Sequence, residues 1–396
     1  MKRIEKALLI IVTMTLLMCS GCQKKETAIE EGPAEQIGVK TYISASHINK
    51  FGNIYTDLKK QDLYDAGFEF GDILTMSFLG QKVEAPLVTS YSDVISLSTG
   101  IFALEDLETI TLAINMGDFA SYYGIAEKQS ENDEVLWTLK DGVADPVEIE
   151  FSMKEKGGYI DQYTILQLKF SNERDDYKHL SDEEFANSRN IATSGIGKNV
   201  LYRSSTAIDD VYKRASYADA AARSHHIAFV INLSEDEANL QNLPGYEETY
   251  FASIKHLTKN INLDVKSEEN RNDTAEFMRC FANNEGPYLV QCLQGKDRTG
   301  IICAILESLM GASFDEIVED YMATFYNWYG ITKEDSAYQI IAEMNIINTL
   351  KTIYDSDDLK NIDMKQKAEE YLSGIGLREE EIADIKTNLS ADYAEY

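Results

Sequence analysis

Residues 288–310 constrain the fold more than any other part of the sequence. A short apolar run, Tyr288–Cys292, is followed by five residues, then Arg298, then an apolar helical pattern over Thr299–Met310. A strand that passes through a tight loop directly into a helix is the repeating unit of α/β folds with parallel strands. We therefore predict that residues 173–396 form an α/β domain with a central, mostly parallel sheet flanked by helices.

The rest of this half supports the same fold class. Ser313-Phe314-Asp315-Glu316 is a capping box that predicts the start of a helix ending near Trp328. Ile227–Leu233 has the composition of a second buried strand. Further helices are predicted over Asp209–His225, Asp273–Asn284, Ala337–Tyr354, Met364–Leu372 and Glu379–Leu389.

Residues 41–172 differ in character and predict a separate β-rich domain. Short runs with strand composition alternate with turn signals such as Gly157-Gly158. The predicted strands include Ile73–Leu79, Thr109–Ile114, Val147–Ser152 and Tyr163–Phe170.

The N-terminus has the pattern of an export signal. Lys2, Arg3 and Lys6 precede an apolar run, Ala7–Met18, that is too short to span a bilayer as a helix. Ser20-Gly21-Cys22 resembles a bacterial lipobox, which predicts a signal peptide over 1–21, acylation of Cys22 and a polar tether over 22–40. Cleavage without lipidation and an uncleaved anchor are the alternatives. We expect an extracytoplasmic, lipid-anchored protein.

Composition excludes several function classes. The 396 residues carry 67 acidic and 37 basic side chains, a net charge of −30, which argues against nucleic acid as a partner. With Cys19 removed in the signal peptide and Cys22 acylated, three of the five cysteines remain: Cys280, Cys292 and Cys303. Their odd number and their spacing fit neither a disulfide framework nor a zinc site, so no metal is expected.

The loop from Cys292 to Arg298 has the residues that phosphate chemistry needs. Five intervening residues can wrap so that backbone N–H groups face a tetrahedral anion, and the helix that follows directs its N-terminus at the same point. Arg298 can contact two phosphate oxygens at once. Such a field favours the thiolate of Cys292, the nucleophilic form. The alternative is a buried structural cysteine beside a solvated Lys-Asp-Arg turn.

The segment Cys292–Gly300 resembles the signature loop of cysteine-dependent protein tyrosine phosphatases. It is most similar to the bacterial tyrosine/dual-specificity branch that reads HCxxGKDRTG, some members of which also cleave phosphoinositides. Further similarities to this branch lie at Phe185–Arg189, Leu201–Ser205, Val230–Leu233 and Tyr371–Leu389. Ser188 replaces a phenylalanine of the branch in the first of these segments, and Ser234, directly after Leu233, replaces an arginine.

The resemblance implies roles for individual residues. Cys292 is the nucleophile, Arg298 clamps the phosphate, and the hydroxyl of Thr299 stabilises the leaving thiolate. Lys296 adds positive charge that suits anionic lipids or multiply phosphorylated substrates. The remaining residues expected to bind substrate through this loop are Leu293, Gln294, Gly295 and Gly300. Gln291 replaces the usual histidine, which implies reduced activity or a raised pH optimum.

The sequence alone does not decide which residue is the general acid or what role Arg203 has. The resemblance places an aspartate about thirty residues before the nucleophile, which Asp264 fits best. Asp297 inside the loop and Asp236 after the Ile227–Leu233 strand are the rivals. Arg203 contacts substrate, supports the loop or lies on the surface. The aromatic residues Tyr326, Trp328 and Tyr329 form either a lid or core.

Residues 40–125 resemble a second family. Lys50–Asp57, Thr89–Asp93 and Ile114–Ala120 are similar to the C-terminal β-barrel domain of the S-adenosylmethionine hydroxide adenosyltransferases. The resemblance implies a barrel-like all-β domain with an accessory role. Phe51 and Asn53 either bind nucleoside or serve only as turn residues.

Together these features predict a phosphomonoester hydrolase that forms a cysteinyl-phosphate and needs no cofactor. The expected substrates are phosphorylated proteins, phosphoinositides or inositol phosphates. A weakly active phosphate-binding or nucleoside-binding lipoprotein is the alternative.

Overall fold

The computed structural model describes residues 38–131 and 134–394. The predicted signal peptide, Cys22 and most of the tether lie outside the described residues. No helix within the described part of the chain is long and apolar enough to cross a membrane.

The first half is a nearly closed, barrel-like β sheet, as predicted. Seven of its strands form one sheet in the order β1-β9-β3-β4-β5-β6-β2, and the edge strands β1 and β2 approach each other. Strands β7 and β8 pair as a separate hairpin. The strands are β1 (Val39–Ile43), β2 (Ile54–Lys59), β3 (Ile73–Phe78), β4 (Gln81–Val88), β5 (Thr99–Phe102), β6 (Thr109–Ile114), β7 (Ala126–Glu131), β8 (Glu134–Leu139) and β9 (Val147–Glu155). The helices of this half are α1 (Lys60–Asp65), α2 (Phe119–Tyr122) and α3 (Ile160–Leu166).

The prediction of a strand over Tyr163–Phe170 is wrong. The first half of Tyr163–Phe170 is the end of α3, which follows the Gly157-Gly158 turn, and residues 167–170 form a turn and loop. The closely spaced apolar residues of this segment resemble a strand, but Ile165 and Leu168 pack against the core of the second half. This packing favours a helical turn over an additional strand.

The second half is an α/β fold with the predicted central sheet. Its strands run in the order β10-β11-β14-β12-β13, and all neighbouring pairs except β10–β11 are parallel. These strands are β10 (Arg189–Asn190), β11 (Leu201–Ser205), β12 (Phe229–Asn232), β13 (Lys255–Thr258) and β14 (Tyr288–Cys292). The helices are α4 (Asp182–Phe185), α5 (Ala215–Ser224), α6 (Glu237–Leu240), α7 (Glu268–Asn283), α8 (Asp297–Met310), α9 (Phe314–Tyr329), α10 (Ala337–Ala342), α11 (Asn348–Tyr354), α12 (Met364–Gly374) and α13 (Glu379–Leu389).

Strand β14 separates two apolar layers and thereby positions Cys292. Tyr288, Val290 and Cys292 face the large core that α7, α8 and α9 cover, whereas Leu289 faces the smaller core around α5. Because side chains alternate along a strand, Gln291 shares the α5 face with Leu289. The thiol of Cys292 therefore lies on the side of the sheet from which α8 starts.

Candidate active site

A short loop joins Cys292, the last residue of β14, to Asp297, the first residue of α8. Cys292 is 3% exposed and lies next to the N-terminus of a helix of 14 residues. The unpaired N–H groups at such a terminus attract anions. The geometry therefore brings the predicted nucleophile and an anion-binding helix end together.

Side chains from outside the loop donate hydrogen bonds to its carbonyl groups. The Asn187 amide donates to the Gln294 and Gly295 carbonyls at 3.0 and 3.1 Å. The Trp328 indole donates to the Gln294 carbonyl at 3.0 Å, and Arg203 Nη2 donates to the Gly295 carbonyl at 2.9 Å. A trans peptide directs its N–H opposite to its C=O. Fixing a carbonyl therefore also fixes the direction of the N–H of the next residue. The Lys296 N–H, which follows the Gly295 carbonyl, therefore points away from Asn187 and Arg203, whereas the Gly295 N–H donates to the Cys292 carbonyl at 3.2 Å.

Two glycines allow this close packing. Gly295 has φ +65°, and a Cβ there would lie 2.3 Å from the carbonyl oxygen of Ser204. A Cβ on Gly300 would lie 2.6 Å from the ring of Tyr321 on α9. Any larger residue at either position would push the loop or α8 away from its support.

Arg203 belongs to a buried charge network beneath the loop. It is fully buried, which excludes the surface alternative, and it pairs with Asp320 on α9 while it supports the loop. Arg189 Nε donates to the same carboxylate at 2.9 Å, and Arg189 Nη1 donates to Asn187 Oδ1 at 2.8 Å. Burial would raise the pKa of Asp320, but the charges of Arg189 and Arg203 outweigh it and lower this pKa. These contacts fit the loop-supporting role among those considered for Arg203.

Glu307 and Cys303 lie buried deeper in α8. Glu307 is 1% exposed, and its Oε1 has no hydrogen-bond partner among the described residues. Burial, and then the nearby charge of Asp320, raises the pKa of Glu307 well above its ordinary value. Burial also raises the pKa of the Cys303 thiol, and it raises that of Cys280 to about 12. Neither thiol is therefore suited to act as a nucleophile.

Arg298 lies over the ends of two neighbouring strands. Its Nη1 donates to the carbonyl of Leu233, just beyond β12, and to Oδ1 of Asn260, just beyond β13, both at 2.8 Å. These two hydrogen bonds fix the Nη1 group of the Arg298 guanidinium. Asn260 carries no motif, so sequence reasoning missed it; its position after a parallel strand was the available signal.

Thr299 and Gln291 complete the immediate surroundings of the nucleophile. The hydroxyl of Thr299 is buried and has no hydrogen-bond partner within the described part of the chain. Gln291 is fully buried and accepts a hydrogen bond from the N–H of Ala207 at 3.3 Å. Its side chain thus links β14 to the segment after β11, a contact that needs no charge.

Lys296 points towards aromatic rings. Its Nζ lies 5.4 and 5.7 Å from the ring centroids of Phe325 and Tyr329, and 3.6 Å from Asp297 Oδ2. Burial opposes its charge, but Asp297 and Tyr329 together raise the pKa of Lys296. Trp328 is fully buried, so for this residue the core alternative is right and the lid alternative is wrong.

The three candidate acids occupy different places. Asp297 is in the loop, and its Oδ1 accepts a hydrogen bond from the Tyr321 hydroxyl at 3.0 Å. Asp236 is exposed and accepts a hydrogen bond from the Asn260 N–H at 3.3 Å. Asp264 is also exposed, and it accepts one from the Lys266 N–H at 3.1 Å. The structure therefore brings Asp297 directly to the loop, whereas the carboxylate of Asp264 caps its own turn.

Glu235 is a further carboxylate at this edge of the sheet that the sequence reasoning missed. It follows β12 and is half-buried. Burial and then the charge of Asp209 raise its pKa, while the charge of Arg298 lowers it. No group of three or more His, Cys, Asp or Glu side chains in the described ranges could hold a metal ion.

A second cavity lies in the β-rich half. It has a volume of about 470 Å³, and Phe51, Asn53 and Tyr91 are among the residues that line it. The amide of Asn53 donates to the hydroxyl of Tyr91 at 3.3 Å, and Phe51 is 63% exposed. The two residues singled out from the sequence therefore lie at one concave site.

Comparison with known proteins confirms both resemblances. The model of the tyrosine phosphatase family matches residues 176–391, and that of the SAM hydroxide adenosyltransferase C-terminal domain matches residues 44–131. No curated protein matches the chain.

Two solved structures are similar to parts of the chain. One is an uncharacterised conserved protein from Thermotoga maritima, with 16% identity over 34% of this chain and 42% of that protein, at a TM-score of 0.23. The other is the core catalytic domain of the PP-IP phosphatase SIW14 from S. cerevisiae, in complex with citrate. It has 20% identity over 43% of this chain and 91% of that domain, at a TM-score of 0.26.

Proposed function

Because the chain belongs to the tyrosine phosphatase family, we propose that it hydrolyses phosphate monoesters through a cysteinyl-phosphate on Cys292. The observation that carries this proposal is the loop geometry. Its carbonyls are held by Asn187, Arg203 and Trp328, and it joins the thiol of Cys292 directly to the start of α8, which carries Arg298 in its first turn. This arrangement stabilises the charge that develops on a transferring phosphoryl group.

The reaction has two steps. The Cys292 thiolate attacks phosphorus, the ester P–O bond breaks, and the departing oxygen takes a proton from a carboxylic acid. Water then attacks the phosphorus, the S–P bond breaks, and the same carboxylate takes a proton from the water. The partnerless hydroxyl of Thr299 is available to donate a hydrogen bond to the sulfur as it leaves.

We assign the acid to Asp297, with Asp264 as the alternative. Asp297 lies on the loop itself and is held by Tyr321. Burial and then the charge of Asp297 raise the pKa of Tyr321, so its hydroxyl stays protonated and can donate to the carboxylate. Asp264 would first have to leave its own turn, where it caps the N–H of Lys266.

Hydrolysis of p-nitrophenyl phosphate by Cys292→Ser tests this function. We expect loss of turnover by at least about 10³-fold, because serine lacks a thiolate at neutral pH. The matched control is Cys280→Ser, which removes a thiol on α7 and should retain wild-type turnover. Acid-quenched wild type should carry phosphate on Cys292. Equal rates in Cys292→Ser and wild type would rule out the proposal.

The substrates we propose are phosphorylated proteins, phosphoinositides or inositol phosphates. The net charge of −30 slows the encounter with anions more at low salt than at high salt. Turnover of phosphotyrosine peptide, phosphoserine peptide and phosphoinositide, compared at matched ionic strength, ranks these classes.

The β-rich half has a second candidate function, which is nucleoside binding. The cavity lined by Phe51, Asn53 and Tyr91 offers aromatic faces and amide groups, which suit a purine ring. Titration calorimetry with adenosine and S-adenosylmethionine tests this function, with Asn53→Ala as the variant. Absence of heat at millimolar ligand would refute it.

We also propose that acylated Cys22 anchors the protein outside the cytoplasm, because Ser20-Gly21-Cys22 follows a short apolar run. Metabolic labelling with a fatty acid should mark wild type and leave Cys22→Ala unlabelled. A wild-type protein without label, or one released by high salt, would contradict anchoring.

A further inference from the structure

The Trp328 indole, which donates to a carbonyl of the loop after β14, is held from several sides. Arg214 lies over the face of the ring, with its guanidinium carbon 3.6 Å from the ring centroid. Phe170 and Tyr212 meet the ring edge-to-face, with centroids 5.1 and 5.3 Å away. A side chain packed in this way keeps one rotamer. The packing therefore fixes the direction in which the indole N–H donates to the Gln294 carbonyl.

Phe170 differs from the other residues around Trp328 in where it comes from. It lies four residues beyond α3, between the two segments that match known families. Phe170 is 36% exposed, and its ring also meets that of Tyr329 edge-to-face, with centroids 5.8 Å apart. A residue at the surface can be replaced with little effect on the core. Phe170 therefore offers a way to release the Trp328 ring without unfolding the domain.

The backbone next to Phe170 is joined to Trp328 as well. The Ser171 N–H donates to the hydroxyl of Tyr177 at 2.9 Å, and this hydroxyl donates to the Trp328 carbonyl at 2.9 Å. Tyr177 and Trp328 are both buried, which strengthens a hydrogen bond between them. The chain after α3 therefore holds both the side chain and the backbone of Trp328.

The same part of the chain is fixed to the β-rich half at its other end. The Tyr159 hydroxyl donates to the Asp93 carbonyl at 3.1 Å. Within α3, the ring of Tyr163 meets that of Phe70 edge-to-face, with centroids 4.8 Å apart. Residues 159–171, which we call the connecting segment, thus join the β-rich half to the tryptophan that supports the loop.

We propose that Phe170 is a positioning residue for the phosphatase site. It holds the Trp328 indole against the Gln294 carbonyl and thereby sets the affinity of the loop for phosphate. The inference rests on the proposed phosphatase function and adds to it a contribution from the connecting segment. The β-rich half, through this segment, is part of the support of the site and not a separate module.

A double-mutant cycle between Phe170 and Trp328 in the full chain tests the proposal. The measurement is the dissociation constant of inorganic phosphate by titration calorimetry, which requires no turnover. We expect Phe170→Ala to raise this constant about fivefold, the scale of one lost hydrogen bond, as Trp328→Phe does. Because both substitutions break the same contact, the double variant should also stay near fivefold. A rise of about 25-fold, the product of two independent effects, would overturn the proposal.

Conservative variants separate positioning from folding. Phe170→Tyr keeps the ring and should bind phosphate as wild type does. Phe170→Leu keeps an apolar cover but has no ring edge, and it should raise the dissociation constant about threefold. The urea unfolding midpoint shows whether each variant is folded. If Phe170→Ala is unfolded, Phe170→Leu takes its place in the cycle, and independent effects would then give a rise of about fifteenfold.

Tyr122→Ala is the matched control. Tyr122 is 75% exposed in the β-rich half, and its ring meets that of Tyr123 edge-to-face, with centroids 4.9 Å apart. The substitution therefore removes a similar ring contact at a distance from the loop. Its dissociation constant for phosphate should equal that of wild type. A rise as large as that in Phe170→Ala would mean that the effect is not specific to the connecting segment, which would overturn the proposal.

The two levels of the proposal fail differently. Dissociation constants within twofold of wild type in both Phe170→Ala and Phe170→Leu would overturn the positioning role and leave the phosphatase function standing. Absence of p-nitrophenyl phosphate turnover by wild type would overturn the phosphatase function, while the calorimetric cycle would still decide whether Phe170 positions the loop.

Discussion

Replacing Asp320 by asparagine removes the only negative charge that contacts both Arg189 and Arg203 among the described residues. Asparagine keeps the shape and one oxygen acceptor but loses the charge. Both arginines are pushed towards neutrality by burial, and Asp320 is the partner that counters this effect. The substitution therefore leaves two guanidinium groups without a compensating carboxylate.

The expected loss of stability follows from these contacts. Asp320 accepts charge-assisted hydrogen bonds from Arg189 Nε and Arg203 Nη1, each of which stabilises by about 1.5–3 kcal/mol. Breaking a buried pair by removal of one partner costs about 3–5 kcal/mol. Because asparagine retains one acceptor, we expect the free energy of unfolding to fall by about 3 kcal/mol.

Urea unfolding followed by tryptophan fluorescence measures this change, because Trp328 contacts the loop directly. With an m-value of about 2–3 kcal/mol/M, the midpoint should fall by about 1–1.5 M. The inhibition constant of inorganic phosphate should rise about tenfold, since Arg203 also holds the Gly295 carbonyl. Glu319→Gln, the exposed neighbour on α9, is the control and should change stability by less than about 1 kcal/mol.

Two results would refute the reasoning. An Asp320→Asn midpoint equal to that of Glu319→Gln would mean that the buried charges need no carboxylate. A lowered midpoint with unchanged phosphate inhibition would mean that the network stabilises the fold without positioning the loop.

Three further predictions concern neighbouring groups. Burial raises the pKa of Glu307 in the folded state above its unfolded value of about 4.5, so the ionisation of this group makes stability fall as pH rises above that value. The unfolding free energy of Glu307→Gln should therefore exceed that of wild type by at least about 1 kcal/mol at pH 8, and this difference should disappear near pH 4.5. A difference that is the same at both pH values would contradict the raised pKa. Asp297→Asn should lower kcat about 10²–10⁴-fold and Asp264→Asn less than threefold, and the reverse order would assign the acid to Asp264. Trp328→Phe removes the indole that donates to the Gln294 carbonyl. Loss of this hydrogen bond costs about 1 kcal/mol, so the inhibition constant of phosphate should rise about fivefold. An unchanged constant would show that Asn187 alone holds that carbonyl.

Much of the fold could be predicted because its signals are local. The strand Tyr288–Cys292 and the helix Glu379–Leu389 have the predicted bounds, and the capping box at Ser313 is present. Apolar runs, caps and glycines act within a few residues, so single segments reveal them. Tyr163–Phe170 failed because its apolar spacing fits a short strand as well as a helical turn, and only packing against the second core decides.

The residues that support the site could not be predicted, because their contacts join segments that are far apart in the sequence. Asp320 meets Arg203 across 117 residues of chain, and Asn260 meets Arg298 across 38. Neither Asp320 nor Asn260 belongs to a motif, and a single acid or amide on a helix or loop is ordinarily solvated. Their roles depend on which helix ends and strand ends the tertiary fold brings together.

The donors that hold the loop come from two distant parts of the chain, one with Asn187 and Arg203 and the other with Trp328. A nascent chain of about 300 residues already contains Cys292 and Arg298, but it still lacks α9 and its tryptophan. Such a fragment has every reactive group and none of the support from that helix. We therefore expect the loop to gain its full support only when the helix carrying Trp328 has docked, so a chain interrupted before α9 holds its reactive groups in an unsupported loop.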